Sequence, residues 1–233
     1  IGGAGNDTLT GGRGDDTYVM APGGGTDTVL EEADEGSDTL DYSAYMSEDP
    51  VTVDLAAGTA TGTGGVANIE NAIGGFGNDS LTGDGKANRL AGGLGTNILK
   101  GGAGDDTYVL TPDSTNAILE TDSYGNDTGG SDTLDFSAWS DSVTVNLTME
   151  SAPGTAEASD IANIENVIGG SGDDFLIGDG NANRLAGGPG NDTLTGGAGD
   201  DTYVLDPVGT DTITETGVGS DTLDYSAFTN PVT

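Results

Sequence analysis

The sequence predicts an all-β chain wound as a parallel β-roll, a form of β-solenoid. Two observations carry that expectation: a nine-residue unit occurs ten times, and a longer period is laid over it. A third is that Leu, Ile, Val and Phe together make only 44 of 233 residues, under the one-fifth level typical of a chain with a thick core. Short repeated coils, each burying one or two large side chains, answer that shortage.

The unit reads G-G-x-G-x-D-x-U-x, with U a large apolar residue, and falls into three arrays. The first holds GGAGNDTLT and GGRGDDTYV, from Gly2 to Val19. From Gly74 to Val109 run GGFGNDSLT, GDGKANRLA, GGLGTNILK and GGAGDDTYV; from Gly169 to Val204 run GGSGDDFLI, GDGNANRLA, GGPGNDTLT and GGAGDDTYV. The closing unit, GGxGDDTYV, begins at Gly11, Gly101 and Gly196, spaced by 90 and 95 residues. The text between arrays repeats as well: SDTLDYSA at Ser37 and Ser220 with SDTLDFSA at Ser131, VTVDL at Val51 with VTVNL at Val143, and ANIENAIGG at Ala67 with ANIENVIGG at Ala162.

This organisation divides the chain into residues 1–19, the end of a first array; 20–73, an inter-array β segment; 74–109, the second array; 110–168, a second inter-array segment; 169–204, the third array; and 205–233, the start of a further segment. The inter-array segments read as degenerate winding, not as linkers, so three short rolls are joined by continued solenoid. VTVDL alternates as a strand with Val51, Val53 and Leu55 on one face, and NIEN, with Ile69 and Ile164, reads as the strand leading back into an array. The Glu31–Glu35 patch and the Met149–Ala158 stretch are the short helical candidates.

Within one unit the glycines permit positive φ and close backbone approach, so G-G-x-G-x-D makes a tight turn. The last three residues alternate polar, apolar, polar, as in Thr8, Leu9 and Thr10, which is a short half-buried strand. Two units then form a flattened coil of 18 residues. Coils stacked at about 4.8 Å satisfy the backbone ladder between strands. Tyr18, Tyr108 and Tyr203, at the U position of each closing unit, read as core plugs.

The charge identifies a partner. Forty Asp and Glu against five Lys and Arg give a formal charge of −35, which repels itself in a compact body. Nucleic acid and anionic membranes would be repelled too, and no basic cluster exists to hold a phosphate backbone. With no His and no Cys, zinc, copper and iron–sulfur sites lose their usual ligands, and nucleophile–His catalysis has no base. The remaining oxygen donors suit several Ca²⁺ ions better than Mg²⁺, which demands an octahedron and keeps its waters. No run of about 18 apolar residues is present for membrane insertion. The chain opens at Ile1 inside a repeat, without a basic leader, as a piece of a larger parent polypeptide would.

Stacking by 18 residues puts the turns of unit n and unit n+2 on one edge, so that each contributes half of an ion's shell. Position six supplies the side chain: Asp7, Asp16, Asp79, Asp106, Asp174, Asp192 and Asp201, with Asn88, Asn97 and Asn183 as weaker neutral substitutes. The expected pairs are Asp79 with Asn97, Asn88 with Asp106, Asp174 with Asp192, and Asn183 with Asp201. The leading glycines Gly74, Gly92, Gly101, Gly169, Gly187 and Gly196 bring backbone oxygens to the same sites. Outside the arrays, Asp27, Asp132 and Asp211 echo position six. Position-five residues Asp15, Asp105, Asp173 and Asp200 serve equally well as turn formers.

These ten nonapeptides resemble the RTX, or haemolysin-type calcium-binding, repeat proteins. The intervening SDTLDYSA, VTVDL and ANIENAIGG text is similar to the segment preceding the β-roll in serralysin-type secreted proteases. The resemblance implies a protein exported by type I secretion from a Gram-negative bacterium, secreted or held at the cell surface, and folded outside by calcium. It implies a non-catalytic spacer region of a toxin, adhesin or enzyme. The alternative is a module of an RTX adhesin or polysaccharide-modifying enzyme that binds extracellular polysaccharide, or ice, through its Thr rows (Thr8 and Thr10, Thr193 and Thr195).

Overall fold

The computed structural model describes residues 1–33, 36–120, 129–156 and 161–229. Among these residues there are strands and turns and no helix. Glu31, Glu32 and Ala33, and residues 149–156, are non-helical, while the remainder of both short helical candidates, and the Pro231–Thr233 start of a third VTV element, lie outside the described residues. The chain forms two compact units, one of residues 1–109 and 113–130, the other of residues 110–112 and 131–233.

In the first unit, strands Thr17–Val19, Thr39–Asp41, Asn71–Ile73, Arg89–Ala91 and Thr107–Val109 pair side by side in that order, all parallel. Facing strands Ser114–Ile118, Gly95–Lys100, Ser80–Thr82 and Thr52–Asp54 form a second parallel run, with Thr59–Ala60 folded back antiparallel at its edge. Thr8–Leu9, Asp27–Leu30 and Thr63–Ala67 make a third. The second unit repeats the scheme. Thr133–Asp135, Asn166–Ile168, Arg184–Ala186, Thr202–Val204 and Thr222–Asp224 pair in one run, and Thr144–Asn146, Phe175–Ile177, Thr193–Thr195 and Thr212–Thr214 in the other.

The nonapeptide fixes these strands because its last three residues are the only non-turn stretch in it. Register within an array is 18 residues, as Phe175 pairs with Thr193 and Arg184 with Thr202. Outside the arrays the winding continues with longer turns: Thr193 pairs with Thr212 and Thr202 with Thr222. The U side chains stack in rows, one of them Leu134, Val167, Leu185 and Tyr203, another Val145, Leu176 and Leu194, all buried. Within the second and third arrays two such rows, one per face, are the large side chains of a coil's core, and the inter-array coils add others such as Tyr42 and Phe136.

One assignment is corrected. The strand leading back into an array is Asn71–Ile73, and in the second copy Asn166–Ile168, not NIEN itself. Glu70 and Asn71 both donate their N–H groups to the Asp38 carbonyl, at 3.2 and 2.9 Å, so the ladder starts only after Glu70. Ile69 and Ile164 are buried all the same. In VTVDL, Val51 and Val53 are buried while Leu55 is half-buried.

Candidate calcium sites at the turn edges

Each turn is built around its position-six side chain. In the second unit, the Asp174 N–H donates to Asp192 Oδ1 at 2.7 Å, and the Asn183 N–H to Asp201 Oδ1 at 2.8 Å. In the first unit, the Asp79 N–H donates to Asn97 Oδ1 at 3.0 Å and the Asn88 N–H to Asp106 Oδ1 at 2.7 Å. The four pairs expected from 18-residue stacking are therefore neighbours on a common edge. The ladder runs on beyond the nonapeptides: the N–H of Asp7 reaches Asp27 Oδ1, and that of Asp192 reaches Asp211 Oδ1. Asp132 donates its N–H to Glu165 Oε2, and its carbonyl accepts from Glu165 and Asn166.

The ladder uses one carboxylate oxygen and leaves the other. Oδ2 of Asp7, Asp16, Asp192 and Asp201 is buried with no hydrogen-bond partner, as is Oδ2 of Asp206. A buried anionic oxygen without a donor is costly, and five Lys and Arg cannot neutralise forty carboxylates. Asp79 and Asp174, which open their arrays, instead accept the N–H of Gly75 and Gly170 on Oδ2, at 2.7 and 2.6 Å.

The leading glycines leave space for these oxygens to converge. A Cβ placed on Gly169 would lie within 3 Å of both Asp174 Oδ2 and the Gly187 carbonyl oxygen; one on Gly74 would meet Asp79 Oδ2 and the Gly92 oxygen in the same way. At Gly83 and Gly178 the pair is Asn88 Oδ1 with the Gly101 oxygen, and Asn183 Oδ1 with the Gly196 oxygen. Side-chain oxygen from one turn and carbonyl oxygen from the turn two units on make a hard, all-oxygen donor set that fits calcium. The Asn97 turn is different. Its Nδ2 donates to Asn116 Oδ1 at 3.0 Å, linking it to the next coil through an amide pair.

Position five makes a second, exposed ladder. Asp173 Oδ1 accepts the Asn191 N–H at 2.9 Å, Asp200 Oδ1 that of Ser220 at 2.8 Å, and Asp15 Oδ1 that of Ser37 at 2.9 Å. These carboxylates shape the outside of the turn and point away from the glycine cradles.

Several turn carboxylates are pushed above their ordinary range. Asp192 rises to about 6, chiefly through burial and further through the charges of Asp174, Asp211 and Asp206, against the lowering effect of the Asp174 N–H. Asp79, Asp174, Asp201 and Asp211 are raised as well, burial leading in each. Without a cation, the folded chain thus holds these protons more tightly than the unfolded chain does. The contribution of Asp192 to the stability of the ion-free roll is therefore full below the unfolded value of 3.8 and is lost as pH rises through about 6. A chelated, desalted sample should accordingly gain β signal in circular dichroism on acidification from pH 7 to about 4.5. A spectrum unchanged across that window would contradict the burial of these carboxylates.

Sequence reasoning missed part of the site. Asp38 and Asp221 occupy position six over Asp16 and Asp201, accepting their N–H groups at 2.8 and 3.1 Å. Glu70 and Glu165 accept the N–H groups of Asp38 and Asp132. The signal was present, since Asp38 and Asp221 sit in the same SDTL text as Asp132.

Stacked parallel coils with oxygen-lined glycine turns define a calcium-binding RTX roll, and the model of the RTX calcium-binding nonapeptide repeat matches residues 1–29. The model of the Peptidase M10 serralysin C-terminal family matches residues 26–126 and 124–233, and the chain belongs to that family. No curated protein matches the chain. Its repeats are of the kind that bind Ca²⁺ and that occur in secreted proteins, and such rolls are not themselves catalytic.

Proposed function

We propose that this chain is a calcium-gated folding and spacer module of a larger extracellular bacterial protein. It passes through type I secretion from a Gram-negative cell unfolded and winds up outside. The observation that carries this is the set of buried, unpartnered Oδ2 atoms in stacked turns, whose charge a bound cation would balance at neutral pH. Asp7, Asp16, Asp27, Asp79, Asp106, Asp174, Asp192, Asp201 and Asp211 are the carboxylate ligands of this proposal, with Asp132 a further candidate. Asn88 and Asn183 lend amide oxygens, and the leading glycines lend carbonyls. The three arrays are its calcium-rich stretches, and catalytic work belongs to other parts of the parent polypeptide.

Isothermal titration with Ca²⁺ tests the ligand assignment. Asp192→Ala should reduce the number of ions bound, whereas Asp173→Ala, on the exposed ladder, should leave it unchanged. Equal losses would refute the position-six assignment. Binding of polysaccharide or ice by the outer face is the weaker reading. Thr193 and Thr195 adjoin Thr212 and Thr214, but Phe175 and Ile177 interrupt both rows one strand away. A flat Thr face two strands wide is a small platform for either ligand.

A further inference from the structure

The last turn of the third array is unlike the turns before it. Asp201 is 1% exposed; its Oδ1 accepts the Asn183 N–H, and its Oδ2 is one of the buried oxygens without a partner. Its own N–H is held by Asp221 Oδ1 at 3.1 Å. Into the same place comes Glu215, which belongs to no nonapeptide. One carboxylate oxygen from each of Asp201, Glu215 and Asp221 lies within 4.8 Å of the other two.

Tyr203 sets the glutamate there. Its hydroxyl donates to Glu215 Oε2 at 2.7 Å and accepts the Gly196 N–H at 2.8 Å. Glu215 Oε1 accepts the N–H groups of Thr216 and Gly217 at 2.9 and 3.3 Å. A Cβ on Gly196 would lie within 3 Å of both Asp201 Oδ2 and the Tyr203 hydroxyl, so the orphaned oxygen faces the tyrosine side of the turn. The Tyr at the U position, which replaces Leu only in closing units, therefore does more than plug the core.

The first unit holds a partial counterpart, in which the turn glycines and not the tyrosine hold the glutamate. Asp16 has a buried Oδ2 without a partner, and its N–H is held by Asp38 Oδ1. Glu31 takes the Gly11 N–H on Oε1 and the Gly12 N–H on Oε2, and the Tyr18 hydroxyl also meets the Gly11 N–H. Asp38 experiences the charges of Glu31 and Asp16 together. The spacing is shared, since Glu31 follows Asp27 by four residues and Glu215 follows Asp211 by four. Both turns end an array, are closed by Tyr and draw a glutamate from outside the repeat, held by Tyr203 in one and by the Gly11 and Gly12 N–H groups in the other.

We propose that Asp201, Glu215 and Asp221, and likewise Asp16, Glu31 and Asp38, form array-closing calcium sites distinct from those between nonapeptide turns, with Tyr203 as a positioning residue. Three carboxylates carry more charge toward the ion than the one or two available between nonapeptides, and ligand charge count is what tunes calcium affinity. The closing sites therefore fill first on their edges, and they mark where an array stops. This rests on the proposal that the turns bind calcium.

Calcium titration of the whole chain by calorimetry, with Glu215→Gln, Glu31→Gln and the exposed control Glu48→Gln, tests it. Each site variant should weaken the tightest class of ions by about tenfold while the control does not. Tyr203→Phe should also weaken that class, by about tenfold, and should add nothing in the Glu215→Gln background, because it acts through the glutamate. Additive losses would reduce Tyr203 to a packing role and overturn its part. Unchanged tight binding in both glutamate variants would overturn the closing sites while leaving the turn sites standing. A wild-type chain that binds no calcium would overturn the underlying function itself. Recovery of the β signal at saturating calcium shows that a variant has folded, and the two glutamates test the same claim in separate units.

Discussion

Chelation of calcium is expected to convert this chain from β structure to coil, and millimolar Ca²⁺ to restore it cooperatively, with Mg²⁺ a poor substitute. The reason is arithmetic. At ten to a hundred times a Kd of roughly 10⁻⁴ to 10⁻³ M, each ion adds about 1.4 to 2.7 kcal/mol by mass action. Below the Kd it adds almost nothing, while the charge of −35 and the buried Oδ2 atoms remain. The core cannot make up the difference, because each coil buries one U side chain per face. Circular dichroism across a calcium titration measures the outcome. A spectrum indifferent to calcium would leave the unpartnered carboxylates without an explanation and the proposed function without its driving force.

The second large effect is expected from the core. Leu194 is fully buried and stacks on Leu176 on one side and Ile213 on the other. In a rung this narrow, no neighbouring layer can collapse into the space left by Leu194→Ala, so the variant should lose about 2 to 5 kcal/mol. Folding and ion binding are linked, and the loss will appear as a higher calcium concentration at half-folding together with a lower melting temperature. Thr193→Ala, on the outer side of the same strand, should move neither by more than about 0.5 kcal/mol. Equal midpoints for the two variants would mean that inward and outward positions are not distinguished in the way the strand pattern requires.

The repeats made the strands and paired edges legible because one local rule covers both. Glycines and the position-six Asx form the turn, and what is left must be strand. Asp174 beside Asp192 and Asn183 beside Asp201 follow from an 18-residue coil alone. Beyond the arrays that rule weakens, since turn length varies and with it the register. Thr17 pairs with Thr39, and Thr39 with Asn71, at offsets no single period contains. This is why the return strand begins three residues later than the alternation in NIEN suggests, and why Asp38 and Asp221 were hidden although Asp132 stands in the same text. The role of Glu215 was hidden for another reason. Its position is set by a hydroxyl from a residue twelve positions away, on a neighbouring strand, and no one-dimensional pattern records that contact.

The two side-chain ladders run in opposite senses along the chain. At position six the later coil lends its oxygen to the earlier coil's N–H, as Asp192 does for Asp174; at position five the earlier coil lends to the later, as Asp173 does for Asn191. Where both are present, as at the Asp173 and Asp174 turn, a coil is laced to its neighbour by both giving and receiving, like thread crossed through eyelets. The length of such a structure is written in copy number alone, so gene duplication can extend it or trim it by whole turns of the spiral without redesigning a single joint.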